Sequence, residues 1–160
     1  MLRFLKIAIP VFVVGFIAGN AFWYLASPLW IDRVVSEELP ADLRLTQVSS
    51  AQFVDADAAH RGKGNAALLK SDTGSILLRL TEFEVTNGPD LKVYLSSSKN
   101  PTRASDVLDA EWHSLGPLKG NIGDQTYVLP ADLDVSQYGS VVIWCEQFSV
   151  LFAHADLVDG

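Results

Sequence analysis

Apolar residues in this chain follow two patterns. From Ile7 to Ile31 they run without a charge, between Lys6 and Asp32. Beyond that they come in short runs, separated by clusters of Gly, Pro, Asn, Asp and Ser. The first pattern predicts a transmembrane helix over residues 7–31. At its ordinary rise such a helix is roughly 37 Å long, enough to cross a hydrocarbon core of about 30 Å with some tilt. Pro10 is expected in the first turn, where its missing N–H costs little, and Pro28 near the far end. Asn20 is polar but uncharged. Gly15 and Gly19 match a helix-pairing spacing, although an ordinary monomeric anchor accounts for the same glycines. A cleaved signal peptide has a shorter apolar region followed by small residues at the cut. Here the run is longer and ends in Phe22, Trp23, Tyr24 and Trp30, aromatics suited to a membrane–water interface, so a retained anchor is expected.

The second pattern predicts an all-β domain. Residues 32–50 read as a polar, acidic linker with Pro40 in its middle, and the domain is expected over residues 51–160. Asn65 to Lys70 and Ser75 to Phe83 read as a hairpin closed by Ser71-Asp72-Thr73-Gly74. Leu91, Val93 and Leu95 alternate on one strand face. Residues 96–113 read as a long loop with at most a helical turn, and Leu115 to Asp124 as a glycine-rich connection. Gln125 to Leu129 is a strand ended by Pro130. Ser140 to Cys145 is apolar at every position, the mark of a central strand buried on both faces. A two-residue turn at Glu146-Gln147 leads to a last strand from Phe148 to Ala153, which would set Cys145 opposite Phe148 and Gly139 opposite His154. About seven strands in roughly 110 residues suit an antiparallel β-sandwich or barrel-like domain behind one N-terminal transmembrane helix.

Charge sets the orientation and narrows the partners. Arg3 and Lys6 precede the apolar run, and the amino terminus adds a third positive charge. The positive-inside rule then puts residues 1–6 in the cytoplasm and the domain in the periplasm or outside the cell. Residues 32–160 hold all 19 acidic residues against 10 of the 12 basic ones. That balance disfavours nucleic acid and anionic lipid surfaces; it is compatible with a cationic or neutral partner, such as a redox partner protein, and equally with plain solubility, the commoner reason for such a charge. Cys145 is the single cysteine, so no intramolecular disulfide can form.

The familiar catalytic signatures fail. His60, His113 and His154 make no i, i+4 pair, and no Gly-x-Ser-x-Gly elbow or phosphate loop exists. Gly62-Lys63-Gly64 reads as a turn. Without a visible nucleophile and base, a hydrolase ranks low, and a redox accessory or binding module is favoured over a stand-alone enzyme.

Four strings stand out: Asp57-Ala58-Ala59-His60-Arg61-Gly62-Lys63-Gly64; Thr86-Asn87-Gly88-Pro89-Asp90-Leu91 with Val93-Tyr94-Leu95; Leu115-Gly116-Pro117 through Gly120-Asn121-Ile122-Gly123-Asp124-Gln125-Thr126-Tyr127; and Val141-Val142-Ile143-Trp144-Cys145-Glu146-Gln147-Phe148-Ser149-Val150 with Phe152 and Ala155. In this order they resemble the electron-transfer DM-thirteen domain family over about residues 50–158. Ala153 departs from the pattern, which leads one to expect glycine there. The resemblance implies a β-sandwich-like domain with a characteristic cysteine, here Cys145. It also implies an extracytoplasmic redox setting, because such domains are often found beside haem- or sugar-binding DOMON domains.

Cys145 is thus the candidate redox thiol, or a soft ligand for copper or haem iron. The bland alternative is a small buried hydrophobe. Glu146 beside it opposes thiolate formation. His60, in a polar glycine-flanked loop, is the candidate second metal ligand, with a solvated loop histidine as its alternative. His113 is given no role. Asp90 and Asp124 are candidate calcium ligands, though Gly88-Pro89-Asp90 and Gly120-Asn121-Ile122-Gly123-Asp124 read first as turns, with glycine supplying positive φ. Trp144, Phe148 and Phe152 are expected in the core, with a stacking platform as the alternative.

Overall fold

The computed structural model describes residues 2–27 and 30–159, and they separate into two units, up to Ile31 and from Asp32 onward. The first is α1, Leu2–Ala26. From Arg3 to Ala26 it has a mean hydropathy of 1.9, apolar and long enough to cross a membrane. The helix begins five residues earlier than the charge-free run, taking in Arg3 and Lys6, so Pro10 lies inside it rather than in its first turn. Position 10 therefore lacks one backbone donor within the helix, a loss that membrane helices tolerate. Pro28 lies outside the described residues.

The second unit is mostly β. Its strands are β1 (Val34–Ser36), β2 (Leu45–Asp55), β3 (Gly62–Ser71), β4 (Ile76–Val85), β5 (Leu91–Ser96), β6 (Trp112–Pro117), β7 (Ile122–Val128), β8 (Ser140–Cys145), β9 (Val150–Asp156) and β10 (Val158–Asp159), with a short helix α2 (Ala104–Leu108) before β6. Nine strands pair along one path, β1-β7-β4-β3-β2-β9-β8-β5-β6, and β10 pairs with β2. The long β2 joins the two halves. Its first part pairs with β3 and its last residues, Phe53 to Asp55, pair with β9. The sheet curls over its own inner face into a half-barrel, a single sheet rather than two separate ones.

Inside the curl, Phe53, Leu68, Leu80 and Phe83 from one half pack with Val93, Leu95, Ile143 and Cys145 from the other. Phe53 and Phe83 meet edge to face at 5.0 Å, a favoured aromatic geometry. The alternation of Leu91, Val93 and Leu95 holds, since all three face this core. Their neighbour Tyr94 faces outward into a second cluster with Val107, Val142, Trp144 and Leu151. This second cluster is why β8 is buried at every position.

Residues 32–50, expected to be a linker with little packing, are part of the domain. β1 runs parallel to β7, so the sheet is not wholly antiparallel. Side chains distant in sequence hold it. Arg79, 8 % exposed, donates to the Glu37 carbonyl at 2.8 Å, to Asp124 at 2.8 Å and to Thr126 at 2.9 Å. Lys119 meets Glu37 at 2.7 Å, and the Asn121 amide donates to Asp32 at 2.9 Å. These partners hold the Glu37 carboxyl below the usual range, Lys119 foremost, and Asp32 likewise through Asn121. Gly123, at φ 100, lies where any side chain would run into the Val35 carbonyl. Glycine is needed there both for its backbone conformation and for β1 to dock.

Candidate functional site

Cys145 ends β8, opposite Leu91 of β5 and Val150 of β9. Its side chain falls on the inner face with Val141 and Ile143 and is 1 % exposed. The sulfur lies 3.0 Å from the Pro89 carbonyl oxygen. A carbonyl has no hydrogen to give, so the thiol is the donor.

The turn that offers this carbonyl covers the thiol. Gly88 sits there because any side chain would stand 2.6 Å from the Phe152 ring; close approach, not positive φ, requires the glycine. Asp90 is the residue that takes the left-handed conformation, at φ 52. A clasp fixes the turn from outside. Lys92 reaches Asp90 at 3.0 Å and Glu146 at 3.3 Å, and the Glu146 N–H donates to the Asp90 carbonyl. Lys92 is held above its ordinary pKa, chiefly by the hydrogen bond to Asp90.

His60 stands on the loop between β2 and β3. Its Nδ1 bonds Asp57 at 2.8 Å, and its ring packs on Phe152 at 4.4 Å between centroids. Because a carboxylate only accepts, Nδ1 carries the hydrogen and Nε2 is the ring atom left for another partner. The His60 ring and two backbone N–H groups draw the Asp57 carboxyl down to about 2.

Cys145 and His60 therefore come to the same end of the sheet without bonding each other. The contacts that connect them run through Phe152 and the turn at residues 86–90. Among the described residues, no three His, Cys, Asp or Glu side chains converge. This donor set falls short of the His₂Cys arrangement of a copper electron-transfer centre. As axial ligand to a haem, Cys145 would first have to leave the Pro89 carbonyl and the apolar core. The side chains as placed do not fit either group.

Other expectations change with the register. The turn between β8 and β9 has four residues, Glu146 to Ser149, with Ser149 at φ 53. Hence Cys145 opposes Val150, and His154 opposes Val142 rather than Gly139. Phe148 falls in this turn and is 62 % exposed, not in the core, whereas Trp144 and Phe152 are buried. His154 lies on the other face from the thiol. Its Nε2 is 3.3 Å from the Asn100 side-chain oxygen, and its buried Nδ1 has no hydrogen-bond partner. Burial pushes its pKa down, and Asp156 opposes part of that. Asp124 and Asp90 are engaged by Arg79 and Lys92, so neither carboxylate is free for calcium. Gly62-Lys63-Gly64 opens β3 with a bulge rather than making a turn.

One feature is absent from the expectations. On the outer face, Trp112 of β6 stacks on Tyr94 of β5 at 4.7 Å with planes 6° apart, and Tyr94 lies 6.5 Å from Trp144 of β8. The Tyr94 hydroxyl donates to Glu146 at 3.3 Å. Reading 96–113 as a loop hid this array. The clue was Trp112 itself, a large aromatic within a Ser- and Asp-rich stretch.

The model of the family described as Electron transfer DM13 matches residues 52–157, all of the curled sheet but its first strand, the start of β2 and the short β10. The chain belongs to the Electron transfer DM13 family. No curated protein and no solved structure matches the chain. Within the DM13 domain, the match takes in Cys145, the turn above it, His60 and the three stacked aromatics. Membership suggests a redox-related role and, with it, a redox partner.

Proposed function

We propose that this protein is a membrane-tethered redox accessory module, with its DM13 domain on the non-cytoplasmic side and Cys145 as its redox-active residue. Family membership carries the reading. The apolar helix α1, with Arg3 and Lys6 at its start, supports the tether and its orientation. In this reading Cys145 reacts only when the 86–90 turn opens, because the Pro89 carbonyl and the Lys92 clasp shield it at rest.

The burial of the thiol favours a second reading, a non-catalytic binding or scaffold domain with a structural cysteine. Thiol chemistry separates the two. The full chain in detergent, purified without chelators, is titrated with a chromogenic disulfide in native buffer, beside a Lys92→Met variant that loosens the clasp. Labelling faster than global unfolding, and faster still in Lys92→Met, supports the redox thiol. Labelling only on denaturation in both proteins makes Cys145 structural and leaves the scaffold reading. A visible spectrum and metal analysis of the same sample check for a bound group.

A further inference from the structure

The outer-face aromatics form a line that leads inward from an edge of the sheet. β6 is the last strand of the path, and Trp112 at its start is 45 % exposed. Tyr94 and Trp144 are 2 % and 3 % exposed. The register explains the line. Trp112 pairs with Ser96, two positions from Tyr94, and Tyr94 pairs with Val142, two positions from Trp144. The three residues are diagonal neighbours on one face of three adjacent strands, within reach for aromatic side chains.

Such stacking stabilises any sheet. Two further observations set this one apart. The outermost ring is open to an approaching molecule although it sits on a strand edge, a place where exposed apolar surface invites unwanted pairing. The Tyr94 hydroxyl, otherwise withdrawn from water, is matched to a carboxylate that is itself half exposed, Glu146. Glu146 is also held by Lys92 at 3.3 Å, which fixes it beside the phenol. A buried phenol with a positioned base can lose an electron and a proton together, avoiding the charged radical that burial disfavours.

We infer that Trp112, Tyr94 and Glu146 form a proton-coupled electron relay, through which an outer-sphere one-electron oxidant at the β6 edge draws electrons from the domain. The inference rests on the redox reading above and adds to it a route and a docking edge. The oxidant, a high-potential metal complex such as a high-valent metal centre of a partner protein, takes one electron from the Trp112 indole and is reduced by one. The indole radical cation then takes one electron from Tyr94, whose O–H proton passes to the Glu146 carboxylate. Trp112 is restored, Tyr94 is left a neutral phenoxyl and Glu146 is protonated. A one-electron donor, the reduced metal centre of a second partner, refills Tyr94, and Glu146 returns the proton.

The test is flash-quench oxidation of the full chain in detergent micelles with photogenerated tris(bipyridyl)ruthenium(III), read by transient absorption and radical resonance. The wild type should give a short-lived tryptophan radical followed by a neutral tyrosyl. Tyr94→Phe keeps the stack and should lose the tyrosyl, with the tryptophan radical persisting. Glu146→Gln, which keeps the shape of the side chain and leaves the Lys92–Asp90 pair in place, should slow tyrosyl formation and make it depend on buffer base. Trp112→Leu should slow it as well. An undiminished tyrosyl in Tyr94→Phe, or unchanged kinetics in both other variants, overturns the relay. A silent relay beside a reactive Cys145 removes this route and leaves the redox reading; an active relay beside an inert thiol keeps the route and removes Cys145 from the chemistry.

Discussion

The backbone of Gly62 packs directly on the methyl group of Ala153, so closely that no side chain fits at position 62. β3 and β9 are not paired with each other; β2 lies between them in the sheet. Their contact is where the curl closes. Gly62→Ala should therefore cost about 1–3 kcal/mol through overpacking. Ala153→Gly on its own should cost less, and added to Gly62→Ala it should recover most of the loss. A double-mutant cycle by urea unfolding measures the coupling. Additive effects would mean that the two backbones are not in contact.

Of Arg79 and Lys119, the two cations that dock β1, Arg79 is the more deeply buried. Removing it leaves the Asp124 carboxylate, the Glu37 carbonyl and the Thr126 hydroxyl short of a partner in a partly buried place. Arg79→Ala should cost about 1–3 kcal/mol, because the guanidinium is buried while its partner Asp124 is 37 % exposed and partly screened by water. Amide hydrogen exchange should show β1 and the β7 residues paired with it losing protection first. Uniform loss across the sheet would contradict this account.

His154 makes stability depend on pH. Its folded-state pKa lies below the ordinary value of 6.5 because burial disfavours the charged ring. Below 6.5 the unfolded chain binds a proton that the folded chain does not. Stability is then complete above that pH and falls as pH drops toward the folded value, with a slope of at most about 1.4 kcal/mol per unit. Denaturation midpoints from pH 7.5 downward should show this slope in the wild type, and His154→Gln should flatten it. The carboxylates of Asp57 and Asp106, drawn to about 2, titrate well below this window.

Phe148 and Phe152 report on the register of the last hairpin. Phe148→Ser should change stability by no more than about 0.5 kcal/mol, as expected at an exposed site. Phe152→Ala should cost about 3–5 kcal/mol, because its ring fills the space between His60 and Gly88. Comparable losses at both positions would restore the two-residue turn.

Where periodicity and burial coincide, the sequence was legible. Leu91, Val93 and Leu95 alternate because one face of β5 meets the inner core, and β8 reads as continuous because both its faces are covered. The hairpin of β3 and β4 is written in Ser71-Asp72-Thr73-Gly74. The register of β8 against β9 was not legible, since its turn length depends on a left-handed Ser149, a conformation serine takes without announcing it. β1 was hidden because its hold comes from Arg79, Lys119 and Asn121, far along the chain, and its own three residues carry no pattern. β6 was hidden because Trp112 to Pro117 has no apolar alternation and ends in Gly116 and Pro117, which read as a connection. For the site, sequence pointed to Cys145 and His60 as individuals. It could not tell that a turn and a phenyl ring would stand between them, or that Tyr94 and Trp112 would stack.

The order of the strands also governs how the domain is made. Val34 pairs with Ile122, and Phe53 with Ala155, so the first strands have no complete set of neighbours until the last are present. A chain of such high contact order folds slowly, because distant ends must be brought together before native pairing repays the cost. Until then the last residues of β2, Phe53 to Asp55, offer unpaired backbone to any extended segment nearby. Synthesis from the N-terminus thus delivers the domain's hinge strand early and its closing partners last. Pulse-labelled folding should show β3, β4 and the first part of β2 protected early, and β1, the end of β2 at Phe53 to Asp55 and β9 together, late, in a single step.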